Sequence, residues 1–284
     1  MKFGIIGGSG LYQMEDLTEI ELKSVDTPFG APSDDFILGK LAGKEVVFLP
    51  RHGQGHTILP SEINYRANIW GMKSLGVTHL VAVSAVGSLK LEIEPGHIVV
   101  PDQFIDRTKD RPSTFFGNGI AAHLPFGDPV CKNLSEQIVK AVKKVGVTVH
   151  QGGTYVCMEG PMFSTRAESE MYRGFGASVI GMTNLQEAKL AREAELCFST
   201  IALSTDYDCW HESEDDVSVE MVLDTVRKNV RNTQLILKEL LTDFNPGNTP
   251  CIDQSALQGA IMTSPEKIPA ETKERLSLLV SKYI

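Results

Sequence analysis

Along the chain, short runs of apolar residues alternate with longer stretches whose apolar positions recur every three or four residues. Residues 3–7, 45–49, 79–84, 97–101, 154–158, 178–182 and 197–203 form runs of the first kind, most of them bounded by glycine, proline or polar turn residues. Their length and β-branched content predict strands. The second kind predicts helices with one apolar face. Residues 61–75 carry Ile63, Ala67, Trp70 and Met72; residues 133–145 carry Leu134, Ile138, Val142 and Val145. Residues 184–195 carry Leu185, Ala188, Leu190 and Ala191. The longest such stretch, 218–241, carries Val219, Val222, Val226, Val230, Ile236 and Leu240. A further helix is predicted to begin near Arg166, capped by Ser164 or Thr165.

Strands alternating with helices imply an α/β fold on a largely parallel or mixed sheet. Asn245-Pro246-Gly247-Asn248-Thr249-Pro250 is linker-like, and a helical tail over 270–282 follows it. The expected organisation is one domain over 1–245, with a C-terminal helical extension of the same domain over 246–284. With 284 residues, 42% of them hydrophobic, the chain can fill a sizeable core. Its 27 Lys and Arg against 36 Asp and Glu give a formal charge of −9, which counts against nucleic-acid and membrane-surface partners. An anionic ligand would therefore have to be attracted by local groups.

The N-terminal apolar run is interrupted at once by glycines, unlike a signal peptide. No window approaches the roughly 20 apolar residues of a membrane span. A cytoplasmic protein is expected. Cys131, Cys157, Cys197, Cys209 and Cys251 are scattered, odd in number and without C-x-x-C spacing. That pattern suggests reduced, mostly buried thiols and neither a disulfide framework nor a zinc site, although it leaves a single bridge open.

Candidate chemistry collects at the predicted strand ends. Gly7-Gly8-Ser9-Gly10 suits either a tight turn or an anion cradle. It is neither a dinucleotide fingerprint, since Gln13 holds the third glycine position, nor a P-loop. In Arg51-His52-Gly53-Gln54-Gly55-His56, Arg51 offers a bidentate fork to phosphate and His52 a second donor. Metal binding by His52 and His56 is the weaker rival, because no acidic or cysteine ligand lies nearby; a surface turn is a third option. Ser84-Ala85-Val86-Gly87-Ser88 ends another predicted strand, where ligands collect in α/β sheets. Phe163, after Glu159-Gly160-Pro161, suits stacking on a planar ring, but by itself core packing is the stronger reading. Asp206 and Asp208 in Thr205-Asp206-Tyr207-Asp208-Cys209-Trp210 point to one side if strand geometry persists. Such a pair can hold one carboxyl neutral as a donor while the other accepts; metal or turn roles are equally compatible.

Taken together, these strings resemble the purine nucleoside phosphorylase superfamily, most closely its trimeric S-methyl-5'-thioadenosine phosphorylase branch. The likeness runs through Gly4-Ile5-Ile6-Gly7-Gly8-Ser9-Gly10-Leu11, Asp26-Thr27-Pro28-Phe29-Gly30, Arg51-His52-Gly53 and Asn64-Tyr65-Arg66-Ala67-Asn68. It continues through Asp102-Gln103-Phe104-Ile105-Asp106-Arg107-Thr108, Glu159-Gly160-Pro161 and the Asp206/Asp208 string. The resemblance implies a single α/β domain with a distorted mixed sheet flanked by helices, assembled as a homotrimer. It implies phosphorolysis of S-methyl-5'-thioadenosine, with inorganic phosphate as co-substrate and no cofactor or metal. Carried over motif by motif, Ser9, Arg51, His52, Ser84, Ala85 and Thr183 would bind phosphate. Met182 would lie against the ribose and Phe163 against the base, with Asp206, Tyr207 and Asp208 at the purine edge, Asp206 and Asp208 being catalytic. His123 would reach the 5' end of the nucleoside from a neighbouring subunit, and Ser164 and Val219 would shape substrate preference.

Several positions depart from the animal members of the family. Ser9 stands where they have Thr, Val86 where they have Cys, Met162 where they have Arg and Gly181 where they have Asn. The carboxylate pair favours 6-aminopurines, whereas Gly181 leaves some opening for 6-oxopurines. The rival readings are a broader purine nucleoside phosphorylase acting on adenosine, inosine or guanosine, and a nucleoside-binding sensor without turnover.

Overall fold

The chain runs β1 (Phe3–Gly7), β2 (Thr18–Lys23), β3 (Phe36–Leu41), β4 (Lys44–Pro50), α1 (Tyr65–Ser74), β5 (His79–Ser88), β6 (Ile98–Val100), β7 (Gln103–Arg107) and α2 (Lys132–Val145). It continues with β8 (Val149–Gln151), β9 (Thr154–Met158), α3 (Arg166–Gly174), β10 (Val179–Gly181), α4 (Leu185–Glu193), β11 (Cys197–Tyr207), α5 (Val219–Asp243), α6 (Ala270–Arg275) and α7 (Ser277–Val280). The computed structural model describes every residue except Ser9, 212–218 and 247–250, and only the backbone of 219–226.

The strands form one mixed sheet in the order β2-β3-β4-β1-β5-β10-β9-β7, with β11, β6 and β8 branching from β5. Side-chain alternation sorts the strands onto two cores. Phe3, Ile5, Val46, Phe48, Val81 and Val83 share a cluster with Leu134, Ile138 and Val142 of α2 and Ile236 and Leu240 of α5. Ile6, Val47, Leu49, Leu80 and Ala82 pack on the other face with Ile69 and Met72 of α1 and Ala188 and Ala191 of α4. Leu276, Leu279 and Val280 from the C-terminal segment join that second core. Strands covered on both faces read as the near-continuous apolar runs seen in the sequence. The result is the expected α/β domain with a distorted mixed sheet flanked by helices.

The distortion centres on β5. Along one edge it pairs with β11 from His79 to Ser88. Along the other it pairs in parallel with β1 at His79 to Ala82, then antiparallel with β10 at Gly87 and Ser88. From Val83 to Val86 that second edge has no strand neighbour among the described residues. The sheet is split there, and the candidate site forms at the split.

Pairing extends β5 and β11 beyond their predicted ends at 84 and 203, so both the Ser84 string and Asp206 lie on strands. The unpredicted β2 is exposed along its whole length and lacks an apolar run. The predicted helix over 61–75 starts only at Tyr65, where the Asn64 side chain accepts the Ala67 N–H. The predicted tail helix breaks at Leu276 into α6 and α7. No helix among the described residues is long and apolar enough to cross a membrane.

Gly71 lies in α1 against Phe36, which is fully buried. A Cβ there would sit 2.6 Å from Phe36 Cε2 and closer still to Cζ. Gly71→Ala should therefore destabilise the fold by about 1–3 kcal/mol through overpacking, despite alanine's better helix propensity. The midpoint of denaturant unfolding checks this.

Candidate active site

Arg51 follows β4 directly and is 2% exposed. Its Nε donates to Glu187 Oε1 at 2.5 Å and its Nη2 to Glu187 Oε2 at 3.0 Å. Nη2 also reaches the Ile6 carbonyl at 3.2 Å, and Nη1 the Val83 carbonyl at 2.8 Å. Ile6 is near the end of β1, and Val83 is the first residue of β5 beyond the β1 pairing. The guanidinium thus caps two strands where the sheet parts. Burial opposes its charge, but the Glu187 carboxylate outweighs burial and holds its pKa up. The bidentate face expected to grip phosphate is turned to Glu187. Of five N–H donors, one on Nη1 is left for a ligand.

A hydroxyl network continues from this pair. Arg51 Nη2 lies 3.4 Å from Asn184 Oδ1, which also accepts from Thr183 Oγ1 at 3.4 Å. Thr183 Oγ1 is 3.3 Å from Ser84 Oγ, and Ser84 Oγ is 3.2 Å from the Tyr155 hydroxyl. Burial pushes the Tyr155 phenol up, so it stays protonated. Ser84 and Thr183 are buried, whereas Ala85 is exposed at the unpaired edge of β5.

His52 Nδ1 lies 2.8 Å from the Ile58 carbonyl, and its ring stacks on His56 at 4.2 Å. A carbonyl only accepts, so Nδ1 carries the hydrogen and the neutral ring presents the Nε2 lone pair. Burial is the largest cause of a pKa pushed down to about 4; the Ile58 carbonyl opposes it, while Arg51 and His56 add to it. At neutral pH His52 therefore offers an acceptor to a ligand where the sequence suggested a donor.

Asp206 and Asp208 converge over Gly87, where a Cβ would stand 3.1 Å from Asp206 Oδ1 and 3.4 Å from Asp208 Cβ. The alternation expected of a D-x-D strand thus persists past the irregularity between Ser204 and Asp206. Asp206 is exposed as a residue, yet partial desolvation of its carboxyl raises its pKa; the Thr205 hydroxyl at 2.7 Å opposes this, and Asp208 adds to it. Asp208 is buried, and its Oδ2 has no hydrogen-bond partner among the described residues. A buried polar atom of this kind calls for a ligand or water. Tyr207, between the two, sends its hydroxyl to the Leu91 carbonyl at 3.0 Å and stacks on His211.

Arg111, which the sequence did not single out, braces the opposite wall. It pairs with Glu159 at 3.0 Å and donates to the carbonyls of Met182, Met158 and Glu159. Met182 packs so closely on Gly160 that a Cβ there would lie 2.5 Å from its sulfur. Phe163 and Met162 are 80% and 82% exposed, so Phe163 is not a core residue of this chain. Ser164 Oγ contacts Met158 Sδ at 3.5 Å. His123 is exposed on a segment tied to the C-terminal region, its N–H donating to the Ala260 carbonyl at 2.9 Å. No contact among the described residues joins it to the network above. Ser9 and the Val219 side chain lie outside the described residues.

The structure also accounts for Gly181. A Cβ at that position would overlap the Tyr155 hydroxyl. The space freed by the missing side chain is already filled by that hydroxyl. Glu187, Asn184 and Tyr155 likewise escaped the sequence reading. Asn184 was assigned to a helix start, and its left-handed φ of 79° belongs to the tertiary fold.

Glu187→Gln leaves the Arg51 charge buried without its counter-ion and should cost about 3–5 kcal/mol of stability, read as a lower denaturant midpoint. The depressed pKa of His52 sets a pH dependence. Between about pH 6.5 and about pH 4 the unfolded chain holds the proton and the folded chain does not. Stability should therefore fall as pH drops through that window, and less steeply in His52→Gln; urea titrations at several pH values check the difference.

The chain was compared with known proteins. Residues 2–242 match the family model described as the phosphorylase superfamily. An S-methyl-5'-thioadenosine phosphorylase from Geobacter sulfurreducens is 59% identical over 99% of this chain and 98% of its own length. One from Synechocystis is 58% identical over 99% of this chain and 87% of its own. Among solved structures, a methylthioadenosine phosphorylase from an antarctic soil metagenomic library superposes with a TM-score of 0.94, at 48% identity and 98% coverage of both chains. A methylthioadenosine phosphorylase from Schistosoma mansoni in complex with adenine gives a TM-score of 0.85 at 36% identity, covering 92% of this chain and 99% of that one. The chain belongs to the phosphorylase superfamily and, within it, to the S-methyl-5'-thioadenosine phosphorylases.

Proposed function

We propose that this protein catalyses the phosphorolysis of S-methyl-5'-thioadenosine, giving adenine and 5-methylthio-α-D-ribose 1-phosphate. The name carried by full-length relatives at 59% and 58% identity supports the reaction. The structural observation that carries it is the carboxylate pair over Gly87, with a buried Asp208 oxygen that no described residue partners. Three residues back along β5, roughly 10 Å of strand, lies the hydroxyl network around Ser84. A base corner and an anion corner thus share one strand.

In this reading Asp206 is the general acid. Its pKa is raised above the ordinary carboxylate value, and in its protonated form it donates to purine N7 as the C1'–N9 bond breaks. The bond's electron pair passes into the purine, and protonation at N7 releases neutral adenine. Asp208 accepts from the exocyclic amine. A 6-oxo group there would set acceptor against acceptor and leave a buried group unpaired. Ser9, Arg51, His52, Ser84, Ala85 and Thr183 hold phosphate beneath C1', where it stabilises the developing oxocarbenium ion and captures it. His52 suits this role by accepting from a protonated phosphate oxygen. Met182 lies against the ribose, Phe163 against the base and Tyr207 beside the purine edge, where its own contacts brace the two aspartates. Ser164 and Val219 tune preference.

The reaction balances with nucleoside and inorganic phosphate alone, so phosphate is a co-substrate and no cofactor is invoked. A homotrimer completes the site in this proposal, with His123 of one subunit meeting the 5' end of a nucleoside bound by the next. Exposure of Phe163 and His123 in the single protomer supports that arrangement.

Asp206→Asn should reduce phosphate-dependent adenine release by about 10²–10⁴-fold, and Asp208→Asn should improve the relative use of inosine, because the amide can donate to a 6-oxo group. Unchanged adenine release with no gain on inosine would sink the assignment. Absence of release by the unaltered protein, combined with tight nucleoside binding, would favour a sensor.

A further inference from the structure

Three of the five cysteines meet at a point their sequence spacing does not suggest. Cys131 is the N-cap of α2, Cys197 opens β11, and Cys251 precedes the 3-10 turn Ile252–Ser255. Their Sγ atoms and one carboxylate oxygen of Asp253 all lie within 4.8 Å of one another. Cys131 and Cys251 are 3.3 Å apart, and all three cysteines are free thiols. Cys131, Cys197 and Asp253 are buried, whereas Cys251 is partly exposed and gives the cluster a side toward solvent.

We propose that Cys131, Cys197, Cys251 and Asp253 form a tetrahedral binding site for a zinc ion that anchors the C-terminal segment to the sheet. Three sulfurs and one carboxylate oxygen make a donor set suited to this ion. Zinc–sulfur bonds of ~2.3 Å in tetrahedral geometry place sulfurs roughly 3.8 Å apart, within reach of small side-chain adjustments here. Cys131 makes no side-chain capping bond at the start of the 14-residue α2. Outside the cluster, Arg192 Nη2 holds Asp253 Oδ1 at 3.1 Å, and Cys251 Sγ lies 3.5 Å from Oδ2. Arg192 is itself fixed by the carbonyls of Pro125 and Asp128. A metal-bound carboxylate normally has such an outer partner. Together, zinc and Arg192 offset three of the four negative charges of three thiolates and a carboxylate.

The site would join three distant parts of the chain. Downstream of Asp253, Ile261 bridges Ala122, and Ala260 accepts the His123 N–H. An ion at the cysteines therefore steadies the segment that positions His123. This inference does not depend on the roles assigned to Asp206 or the phosphate residues.

Metal analysis and cobalt spectroscopy on the full-length protein, purified under reducing conditions, test it. The expected result is close to stoichiometric zinc. Exchange for cobalt should give the visible bands of a tetrahedral ion and a near-ultraviolet thiolate-to-cobalt band. Cys251→Ser should lose most of that charge-transfer intensity while its circular dichroism stays native-like, and Cys209→Ser should keep the full spectrum. Failure of the unaltered protein to retain zinc or bind cobalt overturns the proposal. So does a Cys131–Cys251 disulfide in peptide maps of the reduced preparation, or an unchanged cobalt spectrum in Cys251→Ser.

Discussion

The architecture depends on one buried guanidinium. Where β1 ends and β10 has not yet joined β5, the sheet exposes carbonyls that no strand pairs, and Arg51 takes the one at Val83 together with that of Ile6. Unpaired, each would carry the cost of a buried polar group without a partner. Glu187 supplies the counter-charge from α4, so the same contact ties a helix to the split. A buried ion pair is weak evidence for net stability in general. Here its value is positional. It lets the sheet remain open at Val83 to Val86 without leaving those carbonyls orphaned, and the opening is where the ligand-directed groups collect.

This arrangement also resolves the mismatch between a chain of net charge −9 and an anionic co-substrate. Attraction need not come from a global field when donors are fixed at short range and partly removed from water. In the proposed reading the cradle is one remaining Arg51 N–H, buried hydroxyls and unpaired strand backbone, with a neutral His52 beside them. The Arg51 charge is balanced by Glu187, so that reading relies on directed hydrogen bonds. At the other end of β5, Asp206 and Asp208 crowd above a glycine, the place where the proposed reaction needs one donor and one acceptor.

Much of this was legible in the sequence because the relevant signals are local. Apolar runs marked the buried strands, three-to-four spacing marked α2 and α5, and the D-x-D alternation placed both aspartates on one side. What stayed hidden comes from tertiary pairing. The fork of Arg51 looked available because its partner lies 136 positions away in α4. His52 looked like a donor because the Ile58 carbonyl that sets its tautomer comes from the returning loop. The edge strand β2 carries its structure in backbone pairing with β3, and its alternating charges conceal it. The cysteine cluster is the extreme case, since a helix start, a strand start and a late turn converge there without any spacing motif.

The overlap between the Tyr155 hydroxyl and the side-chain space at Gly181 links two strands in the history of the sequence as well as in space. A descendant that gains a side chain at 181 must first, or simultaneously, lose the phenol at 155. Losing the phenol alone strips Ser84 of a neighbour and opens a void beside the anion corner. Either change made alone disturbs the packing around Ser84, so the residues at 155 and 181 are coupled although they lie on different strands.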